Sequence, residues 1–324
     1  MQVRTTVMVC VVAIGLAASG STLVTDRAEG SFERTLSVSG PVQLNVSTGS
    51  GSISIRKGAP GSVRIQARVH AHTRDGDAAA LVREVEQNPP IRQTGNIIVI
   101  GTEVRRWDRV GISYDLTVPE ETRAAAHTGA GGVDVYDVRG PVEASTGSGS
   151  IRAENIGGSV QVRTGSGNIV VARARGAVAA NTGSGSVELS SIEGAAEART
   201  GSGNVSVSGA SGAVRAQAGS GRVRVEKATA DVEARSGSGN LTVDGSPKSA
   251  RWDLETGSGS VEVTLPPGTP FEIDAHTHSG TISTTHPVTV TGTLRRNELR
   301  GVAIRAENPV SYTHLRAHET GRNL

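Results

Sequence analysis

A T-G-S-G-(S/N)-(V/I) signature returns at Thr128, Thr146, Thr164, Thr182, Thr200, Ala218 and Ser236, starts that are spaced by 18 residues without a slip. Further copies begin at Thr256 and Thr277, 20 and 21 residues on, and an isolated one stands at Thr48. A fixed period in this range restricts the chain to stacked-repeat architectures before any local propensity is weighed.

With the signature threonine as position 1, apolar side chains fall at positions 6, 8, 11, 15 and 17. In one unit these are Ile151, Ala153, Ile156, Val160 and Val162; in another they are Val187, Leu189, Ile192, Ala196 and Ala198. Spacing by two is the period of a strand with one buried face, whereas a helix needs spacings of three and four. Glycines at positions 2, 4 and 13 read as the corners between strands, because glycine takes positive φ without a Cβ clash. The inward residues of one rung are too few and too small to offset the entropy of ordering it, so rungs must stack and seal one another. The fold predicted is all-β: a single-stranded parallel β-solenoid with 18-residue rungs over residues 128–308. Aromatic residues are scarce (Trp 2, Tyr 3, Phe 2), as a thin aliphatic tube requires. Trp252 and Phe271 stand where the spacing lengthens and are expected to fill a wider end.

Residues 26–127 read as an N-terminal cap of alternating strands with one short helix, 75–87. Asp75 or Asp77 can cap that helix, Leu81, Val82 and Val85 give it an apolar side, and Pro89-Pro90 stops it. Solenoid ends expose unpaired strand edges, which natural proteins cover. Residues 1–20 carry Arg4, an apolar run from Val7 to Ala18 and small residues to Gly20, the pattern of a secretory signal peptide. The sole cysteine, Cys10, lies in that run, so the mature chain has no disulfide to form. Export is expected, to the periplasm, cell surface or medium, with membrane attachment only through an uncleaved signal segment or a C-terminal anchor. Residues 309–324 have neither corners nor alternation; Val-Ser-Tyr-Thr-His-Leu-Arg-Ala-His resembles translated adaptor DNA and is read as a non-native tail.

Net charge is +2, with 33 basic and 31 acidic residues spread along the chain. No basic block or basic-aromatic cluster points to nucleic acid. The run Tyr114-Asp-Leu-Thr-Val-Pro-Glu-Glu-Thr122, Asn88-Pro89-Pro90 and the tandem signature units resemble the adhesin family of unknown function known as domain of unknown function 4097. The resemblance implies a right-handed β-helix on exported bacterial proteins and brings no catalytic residues with it.

A catalytic serine needs a positioned base, yet the serine repeats in every rung and no histidine falls inside the 18-residue units. The signature hydroxyls read instead as hydrogen-bond partners of neighbouring rungs. Calcium would need an acidic corner residue, where position 5 carries Ser, Asn or Arg222. His276, His278 and His286 are the candidate metal ligands, spaced as imidazoles on an extended strand. Acidic groupings at Asp134, Asp137 and Glu143 and at Glu188, Glu193 and Glu197 are the candidates for a carbohydrate-active site. The reading of the whole is a non-catalytic scaffold without cofactor, with a glycan or a surface protein as partner. The alternatives are a polysaccharide lyase or hydrolase, or an envelope-stress sensor module.

Overall fold

Alternation of apolar and polar residues becomes alternation of buried and exposed ones along every repeat strand, because successive side chains leave opposite faces. The structure is a computed structural model that describes residues 26–73, 77–101, 110–247, 250–269, 271–277, 289–290, 298–303 and 312–317. The chain forms two units, Met1–Arg152 and Ala153–Leu324. Residues 1–20, which the sequence leads one to expect as a signal peptide, lie outside the described residues.

The first unit holds β1 (Asp26–Ser37), β2 (Val42–Ser50), β3 (Ile53–Lys57), β4 (Ser62–Thr73), helix α1 (Ala78–Gln87), β5 (Ile91–Thr94), β6 (Ile97–Ile100), β7 (Val110–Val118), β8 (Thr122–Ala130), β9 (Val133–Tyr136) and β10 (Val142–Ser148). One of its sheets runs β1-β4-β7-β3-β9 and the other β5-β6-β2-β8-β10. Rung-to-rung pairs such as β2 with β8 are parallel, while β1 with β4, β4 with β7 and β5 with β6 are antiparallel. Asp77 stands at the helix N-cap but makes no side-chain cap bond. The carboxylate of Asp26, on β1, accepts the Ala78 N–H instead, at 3.1 Å.

The second unit is the parallel β-solenoid. From β11 (Ile151–Ile156) its strands follow as β12 (Val160–Ser166), β13 (Ile169–Ala174), β14 (Val178–Ser184), β15 (Val187–Ile192), β16 (Ala196–Ser202), β17 (Val205–Ala210), β18 (Val214–Ser220), β19 (Val223–Ala228), β20 (Val232–Ser238), β21 (Leu241–Gly245), β22 (Trp252–Ser258) and β23 (Val261–Thr264). Odd strands stack in one sheet and even strands in the other. Ile169 pairs with Val187, Val187 with Val205, Val205 with Val223 and Val223 with Leu241, so one aliphatic column is continuous and almost wholly buried. The second sheet supplies the smaller column Val178, Ala196, Val214 and Val232, ending on Trp252. Trp252 is buried there, and its indole N–H donates to the Ala230 carbonyl at 3.1 Å. The side chain of Phe271 lies outside the described residues. Beyond this stack β24 (Phe271–Thr277), β25 (Thr289–Val290) and β26 (Glu298–Ala303) pair antiparallel, and β27 (Tyr312–Ala317) lies parallel between β22 and β24.

The glycines divide into two kinds, which corrects their uniform reading as positive-φ corners. Position 4 has positive φ in every repeat, from Gly131 to Gly259. Position 2 is glycine because a Cβ there would meet the preceding rung: from Gly201 it would stand 2.6 Å from the Gly183 carbonyl oxygen. Position 13 is small for the same reason: a Cβ on Gly212 would stand 2.8 Å from the Ala195 nitrogen. The second left-handed corner falls at position 10 and is mostly not glycine: Asp137, Asn155, Arg173, Ser191 and Lys227 all adopt φ between 54° and 61°.

Candidate functional site

A groove of about 780 Å³ follows the second unit along the edge where position 13 turns into the even-numbered strands. Along one side of it run the small, exposed residues at position 14, Ala177, Ala195 and Ala213, each just after the position 13 turn. Its wall is the outward column at position 16, where Ala179, Glu197, Arg215 and Glu233 follow one another on paired strands. The far end is more strongly charged, with Asp231, Arg251 and Asp253. From Ser159 to Arg251 the groove crosses a series of rungs, a run of roughly 24 Å at about 4.8 Å per rung.

The wall is cross-linked. Arg215 Nε donates to Glu233 Oε2 at 2.7 Å, and Arg199 pairs with Glu197. Arg235, two residues along the same outward face, gathers three carboxylates: Glu233, Asp253 at 3.5 Å and Glu255 at 3.3 Å. These are exposed or half-exposed pairs, worth little to stability singly; they hold the wall's side chains in register.

The sequence-derived acidic groupings do not converge. Asp134 projects outward from β9, Asp137 occupies the left-handed turn after it, and Glu143 projects from β10 in the opposite sheet. Burial pushes the Asp134 carboxyl upward, against the opposing pull of Arg152 and Arg56. The Arg56 guanidinium also lies 5.5 Å from the ring centre of Tyr136. Glu188 and Glu197 likewise leave opposite sheets, with Glu193 at the turn between them. Neither grouping places two carboxylates across a cleft. His276 falls on β24; His278 and His286 lie outside the described residues, and among those described no cluster of His, Cys, Asp or Glu has the geometry of a metal site.

One contact escaped the sequence reading. His127 Nδ1 and Ser145 Oγ stand 2.7 Å apart on adjacent strands β8 and β10. His127 sits one residue before the first regular signature, so a search confined to the repeats passes it over. Among the described residues no carboxylate hydrogen-bonds its other ring nitrogen, the third member that orients such a base in nucleophilic sites.

The signature threonines are buried and donate to the carbonyl of the preceding position 4: Thr128 to Gly51, Thr146 to Gly131, Thr182 to Gly167 and Thr200 to Gly185, all at 2.8–2.9 Å. The signature serines at position 3 face solvent. Position 5 adds a ladder with a two-rung period, where the Asn168, Asn204 and Asn240 side chains accept the N–H of Ser186, Arg222 and Ser260 at 2.9–3.0 Å.

The architecture is thus a parallel β-solenoid with the threonines and asparagines of its signature spent on internal bonding and its faces and groove open. Residues 157–311 match the family model Toastrack DUF4097, the family that the sequence motifs resemble. No curated protein matches the chain. Among solved structures, a "putative adhesin" from Bacteroides fragilis NCTC 9343 aligns at 14% identity over 72% of this chain and 97% of that one, with a TM-score of 0.40. A "putative cell adhesion protein" from Clostridium sporogenes ATCC 15579 aligns at 11% identity over 89% and 96%, with a TM-score of 0.19.

Proposed function

We propose that the protein is a non-catalytic, exported scaffold, an adhesin-like interaction protein of the bacterial cell surface or envelope. The observation that carries this reading is the groove over Ala177, Ala195 and Ala213. It is long and is lined on one side by small apolar residues, and on the other Glu197, Arg215 and Glu233 repeat at the strand spacing. Such a trough suits an extended chain, a glycan or a strand-like segment of a surface protein, better than a compact substrate. The names of the two structural neighbours are consistent with surface adhesion.

Glycan-array and whole-cell binding by the purified protein, beside an Ala195→Arg variant that places a long charged side chain in the groove, test the reading. Binding by the parent that falls at least tenfold in Ala195→Arg supports it. No binding by the parent in either assay removes adhesion and leaves the scaffold alone.

A further inference from the structure

The first unit ends on a strand edge that is held closed by side chains. β1 is the outermost strand of its sheet among the described residues, paired on one side only, with β4. Along β1 the odd-numbered residues Arg27, Glu29, Ser31, Glu33 and Thr35 place their side chains on the exposed face. Their N–H and C=O groups point to the unpaired edge, and most of the contacts there are to side chains. Ser31 N–H donates to Glu86 Oε1 at 2.8 Å, Glu33 C=O accepts from Arg34 Nη1 at 2.9 Å, and Ser37 C=O accepts from Gln93 Nε2 at 2.8 Å. No side chain among the described residues covers the same groups of Arg27 and Glu29. Capping an edge in this way is how a sheet avoids joining another strand.

The sequence of that edge is complementary to itself. When a second β1 is laid antiparallel with Gly30 opposite Gly30, Arg27 faces the second copy's Glu33 and Asp26 faces its Arg34. Ala28 then faces Phe32 and Glu29 faces Ser31. Each relation occurs twice by symmetry, and the odd residues with outward backbone groups meet one another, as an antiparallel ladder requires. Moving the register by one pairing step sets Glu29 opposite itself in one direction and Glu29 opposite Glu33 in the other, and like charges directly opposite destabilise a pair. The charge pattern therefore disfavours both neighbouring registers.

We infer that the β1 edge is a docking surface for a second copy of this chain, joined antiparallel about Gly30, with Glu86 as the competing cap that keeps the association weak. The occupant is another copy because a second β1 laid antiparallel reverses the charge order, so that both kinds of charged pair within Asp26–Arg34, Asp26 with Arg34 and Arg27 with Glu33, are of opposite sign. This inference is independent of the groove and of adhesion.

Sedimentation of the full chain over a concentration series tests it, with circular dichroism as the check of fold. Glu86→Ala frees the Ser31 N–H and should tighten dimerisation roughly tenfold, the scale of one hydrogen bond to a charged group. Glu86→Gln keeps an acceptor and should stay close to the parent. Adding Glu29→Pro to Glu86→Ala removes an N–H that faces solvent in the monomer, a substitution an edge strand tolerates, and should return the protein to monomer. Adding Arg27→Glu to Glu86→Ala should weaken the dimer at least tenfold. A folded Glu86→Ala protein that remains monomeric throughout, or one whose association ignores Glu29→Pro, overturns the inference.

Discussion

Thr200 Oγ1 lies 2.8 Å from the carbonyl oxygen of Gly185. The bond spans two rungs and closes the one carbonyl that the left-handed turn at position 4 directs away from the parallel ladder. Ser236 makes the same bond to Gly221 and Thr256 makes it to Gly239.

Ala218 breaks the series: it is buried in the threonine column but has no hydroxyl to give to Gly203. Ala218→Thr should therefore raise stability by about 1 kcal/mol, the net worth of an intramolecular hydrogen bond. Thr200→Val should lower it by about 1–3 kcal/mol, because a carbonyl is left without its partner. Urea midpoints of the two variants against the parent decide the matter; an Ala218→Thr protein that unfolds earlier than the parent contradicts this account of the signature.

The glycines at position 2 make a second case. Gly201 is not in the left-handed region, yet a Cβ on it would stand 2.6 Å from the Gly183 oxygen. Gly201→Ala should cost at least about 2–3 kcal/mol by forcing the rungs apart. Alanine at an exposed strand position without such a neighbour costs nothing comparable, so an unchanged midpoint would dismiss the close-approach explanation.

Position 10 reverses the usual expectation for glycine. Ser191 has φ 55° and Gly209 occupies the equivalent turn at φ 68°. A left-handed residue with a Cβ carries a steric cost of about 1 kcal/mol or more, partly offset by the extra entropy glycine loses on folding. Ser191→Gly should stabilise by about 0.5 kcal/mol and Gly209→Ala should destabilise by about 1 kcal/mol. Opposite signs in paired thermal melts are the expected result.

These positions mark what could be read from the sequence and what could not. The 18-residue spacing of Ile169, Val187, Val205 and Val223 determines the ladder, because equal lengths of chain must return to equal places. The role of each glycine is hidden at that level, since a residue without a side chain serves a strained dihedral and a crowded contact alike. Arg173 and Lys227 give no signal as corners because the closure of the rung, and no local preference, imposes their dihedral. The groove was written as Ala177, Ala195 and Ala213, but small residues after a turn become one side of a groove only when the position 16 column stands beside them. Glu86 faces Ser31 across 55 residues, a distance no period marks.

The Tyr114 hydroxyl is buried and has no hydrogen-bond partner among the described residues. Burial drives its acidity far down, so its pKa lies well above the ordinary tyrosine value. The sign follows from linkage. Above about pH 10 the unfolded phenol releases its proton while the folded one retains it, so the unfolded state binds fewer protons and stability falls as pH rises further. Tyr114→Phe removes both the unpaired hydroxyl and the titration. It should leave stability near pH 7 unchanged or higher by about 1 kcal/mol, and it should flatten the loss of stability that the parent shows between about pH 10 and 12. Denaturant midpoints across that range are the measurement, and a variant with the parent's full alkaline slope would show that another group controls it.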